Sequence, residues 1–371
     1  MNRSTLTPTS WPSRLVWLAL IGIALQGCSS GLKGQSESEP DAFMVAAWTG
    51  AGIAETEQEW REQLGMFAEH GMTDLFLSAG VEETQRVIGY AADVGIDIHA
   101  WVWTLNRPGD TTAARHPDWY AVNRNGDNSY DVRAYVDYYQ WLSPFSPGAR
   151  EHIKSIMRRY AAIPGLASVH LDYVRYVDVI LGADLQPKYG LVQDRQFPEY
   201  DYGYHPIARE GFRELFGVDP MEMAHPELST EWLQYRLNAV TSLVNEIAEL
   251  VHAEGRLLSA AVFPFPEMSR QMVRQDWASW DLDLALPMLY HNFYRQNLEW
   301  IGFAAEQGVR ESHGRFDVVA GLFVPSLSPG ELEQSIEKAR EGGAKGVSVF
   351  DVGAMSPEHW DVLARHAMQA R

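Results

Sequence analysis

From residue 43 onward the hydrophobic pattern changes period again and again. Short runs rich in Val, Ala, Ile, Leu and Phe alternate with longer stretches whose apolar residues return every three or four positions. The runs predict strands over 43–48, 73–78, 96–103, 167–172, 257–262, 282–290, 318–324 and 346–350. The stretches predict helices over 55–70, 82–94, 148–163, 206–216, 230–254, 296–307, 329–341 and 357–369. Strand runs without clean polar alternation are what strands buried on both faces require. Eight βα units in about 330 residues predict an α/β protein of the (β/α)8 barrel class, in one domain over 41–371. The surplus length falls after strands three and four, as irregular excursions over 104–147 and 177–205, and 263–280 is left without a regular period. A doubly wound open sheet is the alternative, and it wants a glycine-rich phosphate turn after the first strand. Thr49-Gly50-Ala51-Gly52 lies there but has neither the spacing nor a partner acid.

The first 40 residues are not part of this pattern. Arg3 and Arg14 flank the start of an apolar run over 15–25, too short to span a bilayer, with the flanks of an export signal. Leu25-Gln26-Gly27-Cys28 follows and resembles a bacterial lipoprotein signal, in which the cysteine becomes the lipidated first residue. Gln26 is uncommon there, and an ordinary secretory signal (1–28) is the alternative reading. Cys28 is the one cysteine of the chain, so disulfides do not hold this fold together. Residues 29–40 are small, polar and end in proline, which suits a flexible tether. Ser29 stands where an aspartate would suggest inner-membrane retention; by that resemblance a lipid anchor in the outer membrane, facing the periplasm, is expected.

Composition narrows the partners. A formal net charge of −19 disfavours nucleic acid and anionic lipid, and says little about neutral ligands such as sugars. Thirteen Trp and sixteen Tyr exceed what a core needs, and such a surplus lines a groove.

In a barrel the chemistry gathers at the C-terminal strand ends. The fourth strand passes from apolar to densely polar in one step, Ala167 to Tyr176 reading ASVHLDYVRY. Trp48 ends strand one; His99, Trp101 and Trp103 lie on strand three; His170, Asp172, Tyr173 and Arg175 come from strand four. Strand five leads to Glu267 and Asp276, strand six to Tyr290 and His291, strand eight to Asp351. There is no Cys and no His/acid set at zinc spacing at this mouth, so neither metal nor cofactor is expected, although the Asp-bearing loops leave room for calcium. No G-x-S-x-G turn offers a serine nucleophile. Acids beside aromatic platforms suit carbohydrate chemistry, in which two carboxyls, one protonated and one ionised, flank a glycosidic bond.

Val169-His170-Leu171-Asp172-Tyr173-Val174-Arg175-Tyr176 resembles the GIHLDYIRYP signature of the glycosyl-hydrolase-like family 10 barrels. Ile98-His99-Ala100-Trp101, His116-Pro117-Asp118-Trp119, Gln275-Asp276-Trp277 and Leu286-Pro287-Met288-Leu289-Tyr290-His291 match in order. Val177 departs from the usual proline, and Ala167-Ser168 from the Asp-Gly that often precedes the signature. The resemblance implies a periplasmic or secreted hydrolase of β-linked glycans, some lipoprotein members being similar to enzymes that trim peptide-free peptidoglycan strands. Asp172 is the first choice for a catalytic carboxylate, as nucleophile or base. Glu267, on a Pro-braced turn, and Asp276 compete for the second place, while Pro-Glu is also how helices begin. Arg175 and Tyr290 are donors that could hold the base ionised, and Asp351 could bond a sugar hydroxyl or cap a helix. Trp48, Trp101, Trp103, Tyr173 and Tyr290 are stacking candidates. For His99 and His170 a hydrogen-bonded core position is the safer reading, whereas His291, just past a strand, is placed to touch substrate. Residues 200–205 form either a subsite wall or a solvated loop. A barrel that binds glycan without cleaving it is the rival function; only the enzyme needs two carboxyls facing one cleft.

Overall fold

Eight parallel strands close into a barrel in chain order. They are β1 (Met44–Gly50), β2 (Asp74–Ser78), β3 (Asp97–Trp103), β4 (Ser168–Asp172), β5 (Leu257–Val262), β6 (Leu284–Pro287), β7 (Asp317–Phe323) and β8 (Gly346–Phe350). The computed structural model describes residues 43–368. The expected signal and tether, with Cys28, lie outside them. Among the described residues no helix is long and apolar enough to cross a membrane.

Nine helices are described: α1 (Glu57–Glu69), α2 (Val81–Ala92), α3 (Pro147–Ala161), α4 (Pro206–Phe216), α5 (Thr230–Ala253), α6 (Pro266–Val273), α7 (Glu299–Ser312), α8 (Pro329–Glu341) and α9 (Pro357–Met368). Their starts follow local chemistry. Thr56 with Glu59, and Ser328 with Glu331, form reciprocal capping boxes, and five helices carry proline in the first turn, α9 by its sequence. Sequence periodicity left 263–280 unassigned, and α6 lies within it. The sixth strand is shorter than 282–290, and past Pro287 its pairing continues only as an isolated bridge between Met288 and Gly321. The two excursions after β3 and β4 hold only 3-10 turns and isolated bridges.

Both faces of the strands are buried, and their alternation sorts the residues into shells. Val169 and Leu171 of β4 pack outward with Ile153 and Met157 of α3 and Val244 of α5; Val45, Ala47 and Val347 pack outward against the helices on the other side. Ala46, Trp48, Phe76, Ala261, Leu286 and Val319 fill the lumen. Burying such side chains contributes roughly 1.5–3 kcal/mol each.

The lumen also holds a hydrogen-bonded chain that threads β1, β4, β5, β3 and β2. Trp48 Nε1 lies 3.0 Å from His170 Nε2, and His170 Nδ1 lies 2.9 Å from Ser259 Oγ. Ser259 Oγ is 2.9 Å from Ser168 Oγ, which is 2.7 Å from His99 Nδ1; His99 Nε2 reaches Asp74 Oδ1 at 2.9 Å. An indole N–H only donates, so His170 accepts at Nε2 and, as a neutral ring, donates from Nδ1 to Ser259. Burial, with His99 nearby, drives the His170 imidazolium far below its ordinary range, consistent with a neutral ring. Phe76 lies against both imidazoles, 4.4 Å from each.

The first excursion is braced at Asp110. Its Oδ2 accepts Arg107 Nε at 3.0 Å and His152 Nε2 at 2.8 Å, and its Oδ1 accepts the amides of Thr112 and Ala113 at 3.0 Å. Arg107 Nη1 in turn donates to the carbonyl of Trp103 at 2.8 Å, tying the loop to the end of β3. Burial alone would raise the Asp110 carboxyl; the Ala113 amide, His152 and Arg107 outweigh it and bring it down to about 2.

Ser259→Val strands the His170 N–H in the lumen, and urea unfolding should show a loss of about 1–3 kcal/mol at unchanged slope. Asp110→Asn should cost about 2 kcal/mol at neutral pH. Because the folded carboxyl titrates below the unfolded one, that difference should be full above pH ~4 and shrink as pH falls toward ~2. Melting curves of both proteins across this range check it.

Candidate active site

β4 ends in Asp172, whose Oδ2 accepts the indole N–H of Trp101 from β3 at 2.9 Å and whose Oδ1 accepts the Tyr173 amide at 2.6 Å. Asp172 is 9 % exposed. Burial raises its pKa, and the Trp101 N–H, the Tyr173 amide and Arg175 only partly oppose that. The group therefore holds its proton to a higher pH than an ordinary aspartate.

Immediately after the strand, Tyr173 adopts a left-handed φ of 49°, a strained conformation for a residue with a Cβ. The turn lays its ring 4.6 Å from Trp103 and 5.6 Å from Trp141. It also brings Arg175 inward, where its guanidinium lies 5.0 Å from the rings of Trp141 and Phe263 and 5.3 Å from that of Tyr173. Arg175 Nη1 donates to Asp178 Oδ2 at 3.1 Å and to the Tyr176 carbonyl at 2.9 Å, and the Tyr139 hydroxyl donates to the same Asp178 oxygen at 2.9 Å. Burial works against the guanidinium charge; Asp178, with Tyr139 and Tyr173, more than restores it and pushes its pKa upward.

These groups line a cavity of about 410 Å³ at the C-terminal mouth of the barrel, within the range of small-ligand sites. Trp48, Trp101 and Trp103 meet Asp172, Tyr173, Arg175 and Tyr290 there, so seven of the residues singled out from the sequence converge. Tyr138 and Tyr139 enter from the first excursion, Asp178, Leu185 and Tyr189 from the second, and Phe293 and Tyr294 from the turn after β6. Trp48 connects this cavity to the lumen chain beneath it.

Other expected contacts lie elsewhere. Glu267 is the second residue of α6; its side chain is 63 % exposed, bonds Gln271 at 2.5 Å, and does not line the cavity. The Pro-Glu pair is a helix start. Asp276 is buried, but its Oδ1 accepts Arg270 Nε at 2.6 Å and its Oδ2 the Ser279 hydroxyl at 2.8 Å. Arg270 continues to Glu311 of α7, so Asp276 ties together the segment between β5 and β6. His99 and His170 are lumen residues, as their core reading expects. His291 is half-buried in the turn after β6 and also outside the cavity lining. Asp351 accepts the Gly353 amide and caps a 3-10 turn at the surface. Residues 200–205 are neither wall nor solvated loop: Tyr200 stacks on Tyr135 at 4.3 Å, and Asp201, Tyr202, Tyr204 and His205 are buried behind it. Among the described residues no group of three or more His, Cys, Asp or Glu is arranged to hold a metal ion.

Asp178 is the cavity acid that sequence reasoning missed. Its signal was present: it stands three residues after Arg175 in the same run as Asp172, and a buried arginine requires a counter-charge close by.

Solved structures share the architecture. The glycoside hydrolase domain of PgaB (BpsB) from Bordetella bronchiseptica superposes with a TM-score of 0.61 at 13% identity, over 88% of this chain and 97% of that one. The catalytic domain of a β-amylase from Paenibacillus polymyxa gives 0.63 at 10% identity, over 89% and 99%. An endo-β-1,4-mannanase from Thermotoga petrophila gives 0.52 at 9%, over 90% and 77%. Identities this low show the common fold alone. No curated protein matches in sequence. The family model for glycosyl hydrolase-like 10 matches residues 66–324, from α1 through the end of β7 and including the cavity-forming strand ends β2 to β7; the chain belongs to that family.

Proposed function

We propose that the protein is a glycoside hydrolase that opens O-glycosidic bonds of a glycan. The observation that carries this reading is Asp172, a carboxyl whose pKa burial raises, on the wall of an aromatic cavity that holds a second, ion-paired carboxylate, Asp178. Sugar rings present apolar faces to Trp101, Trp103 and Tyr173. The Asp172 proton passes to the bridging oxygen as the bond to the anomeric carbon breaks. Asp178 either attacks that carbon or draws a proton from the water that does, and the anomeric configuration of the product separates the two. This assigns Asp172 the acid role rather than that of nucleophile or base. A peptidoglycan-derived strand is the substrate that suits a lipid anchor at Cys28 facing the periplasm, and loss of lipid labelling in Cys28→Ala tests the anchor.

Full-length protein is to be screened against peptide-free peptidoglycan strands, chitooligosaccharides and plant polysaccharides. On whichever glycan is cleaved, Asp172→Asn and Asp178→Asn should each lower kcat by about 10²–10⁴-fold with melting behaviour retained by Asp172→Asn. Glu267→Gln, on the outer helix, should stay within about twofold. Full activity of Asp172→Asn would end the assignment. Binding by the native protein with no cleavage of any glycan would make the barrel a binding protein.

The pH profile offers a second check. An acid must be protonated to act, so kcat/KM should fall as pH rises through the raised Asp172 pKa. Trp101→Phe removes a donor that stabilises the carboxylate, so this alkaline limb should move to higher pH.

A further inference from the structure

The charged residues of the cavity, Asp172, Arg175, Asp178 and Lys188, all come from β4 and the chain just after it. The side built where β6, β7 and β8 end has a different chemistry. Phe323 is the last residue of β7 and Phe350 the last of β8, and the two are paired across the ladder. Phe293 comes from the 3-10 turn after β6. All three line the cavity and stay half-buried. Strand register explains the placement: the two-residue alternation that sends Val319 into the lumen sends Phe323 inward above it. Gly321, between them, leaves the room that the Trp48 indole fills, since a Cβ there would come within 2.9 Å of that ring.

Ring distances make these residues one surface. The Tyr290 ring lies 5.4 Å from Phe293 and 5.3 Å from Phe323, and stacks on Phe350 at 6.5 Å. Phe293 and Phe323 are 5.1 Å apart, and Phe323 and Phe350 are 6.2 Å apart. Phe350 meets Trp101 edge-on at 6.1 Å, which joins the surface to the indole that holds Asp172. One polar atom interrupts the phenyl rings. The Tyr290 hydroxyl has no hydrogen-bond partner among the described residues and is not sealed from solvent, so it opens on the cavity that Tyr290 lines. Phenyl rings are poor hosts for sugar hydroxyls, each of which wants a polar partner once it leaves water. An acyl group suits them: its methyl needs only apolar contact, and its carbonyl can take a single phenol donor.

We infer that Tyr290, Phe293, Phe323 and Phe350 form a subsite for an acyl substituent of the glycan, an amide- or ester-linked acetyl group. This rests on the glycan reading of the cavity and narrows it: sugars that carry acyl groups are selected over sugars that carry hydroxyls alone. The Tyr290 hydroxyl donates to the acyl carbonyl, and the phenyl rings cover the methyl. Because Trp101 touches both this surface and Asp172, the seated acyl group also sets where the sugar lies relative to the acid.

The test is calorimetric binding to the full chain carrying Asp172→Asn, so that cleavage does not interfere. Matched pairs separate the sources of the acyl group: chitotetraose against cellotetraose for an amide, and acetylated against deacetylated mannotetraose for an ester. The acylated member of at least one pair should bind about tenfold tighter. Adding Tyr290→Phe, which keeps the ring and removes the donor, should cut that advantage to about threefold. Phe323→Ser should cut it from the apolar side, and Phe323→Leu should restore most of it. Equal affinity within both pairs, or an advantage that survives Tyr290→Phe and Phe323→Ser, would overturn the inference and leave the hydrolase reading standing. An acyl preference in a protein whose native form cleaves nothing would support the subsite and remove the hydrolase. Absence of binding to all four oligosaccharides would overturn the subsite together with the glycan reading.

Discussion

A guanidinium cannot be buried without a counter-charge and acceptors, and Arg175 makes that demand at the centre of the cavity. Its partners come from separate parts of the chain: Asp178 from its own loop, Tyr139 and Trp141 from the first excursion, and Phe263 from the end of β5. Meeting the demand holds together two long segments that have almost no regular structure of their own. Such a pair adds little net stability, because its desolvation offsets most of its attraction. What it supplies is uniqueness, since removing either partner strands a charge at a cost of roughly 3–5 kcal/mol. The strained backbone of Tyr173 fits the same account: its φ of 49° turns the chain so that Arg175 points inward.

The same pairing separates two aspartates six positions apart. Asp172 receives neutral donors, the indole of Trp101 and a backbone amide, and burial governs its proton. Asp178 receives a guanidinium. One strand end and one short loop thus place two carboxyls in opposite electrostatic settings, a difference acid–base chemistry at a single bond requires.

The barrel was legible because period and length suffice for it: eight short apolar runs separated by helix-period stretches admit few closed arrangements. Strand four was legible too, and so was the core placement of His99 and His170, whose lumen positions follow from the two-residue alternation that also turns Trp101 and Asp172 inward. Glu267 and Asp276 show where such reading stops. Position after a strand says that a residue is near the mouth, whereas facing inward depends on how the connecting segment folds. Pro266 starts a helix whose first turn points Glu267 to solvent, and Arg270, six residues before Asp276, claims it within a segment that has no strand register to betray it. Tyr138 and Tyr139 were hidden for a related reason, because the 104–147 excursion has no period from which a direction could be read. Asp178 was legible in principle, through the charge requirement of Arg175 rather than through any pattern of its own.

Charge adds a last constraint on what the cavity selects. The chain carries −19, yet Asp178 is matched by Arg175, and Asp172 in its protonated form adds nothing. Long-range attraction therefore contributes little to drawing in a neutral glycan, and little salt dependence is built into the pocket floor. On the proposed reading, recognition rests on contact: ring faces against Trp101, Trp103 and Tyr173, with hydroxyls directed by the few polar atoms between them. Contact of that kind tolerates different sugars on one linkage geometry better than it tolerates a displaced bond. Under the proposed glycan reading the selective element is the position of Asp172 relative to the indoles, which the Trp101 hydrogen bond fixes directly and the Trp48 lumen chain supports from below.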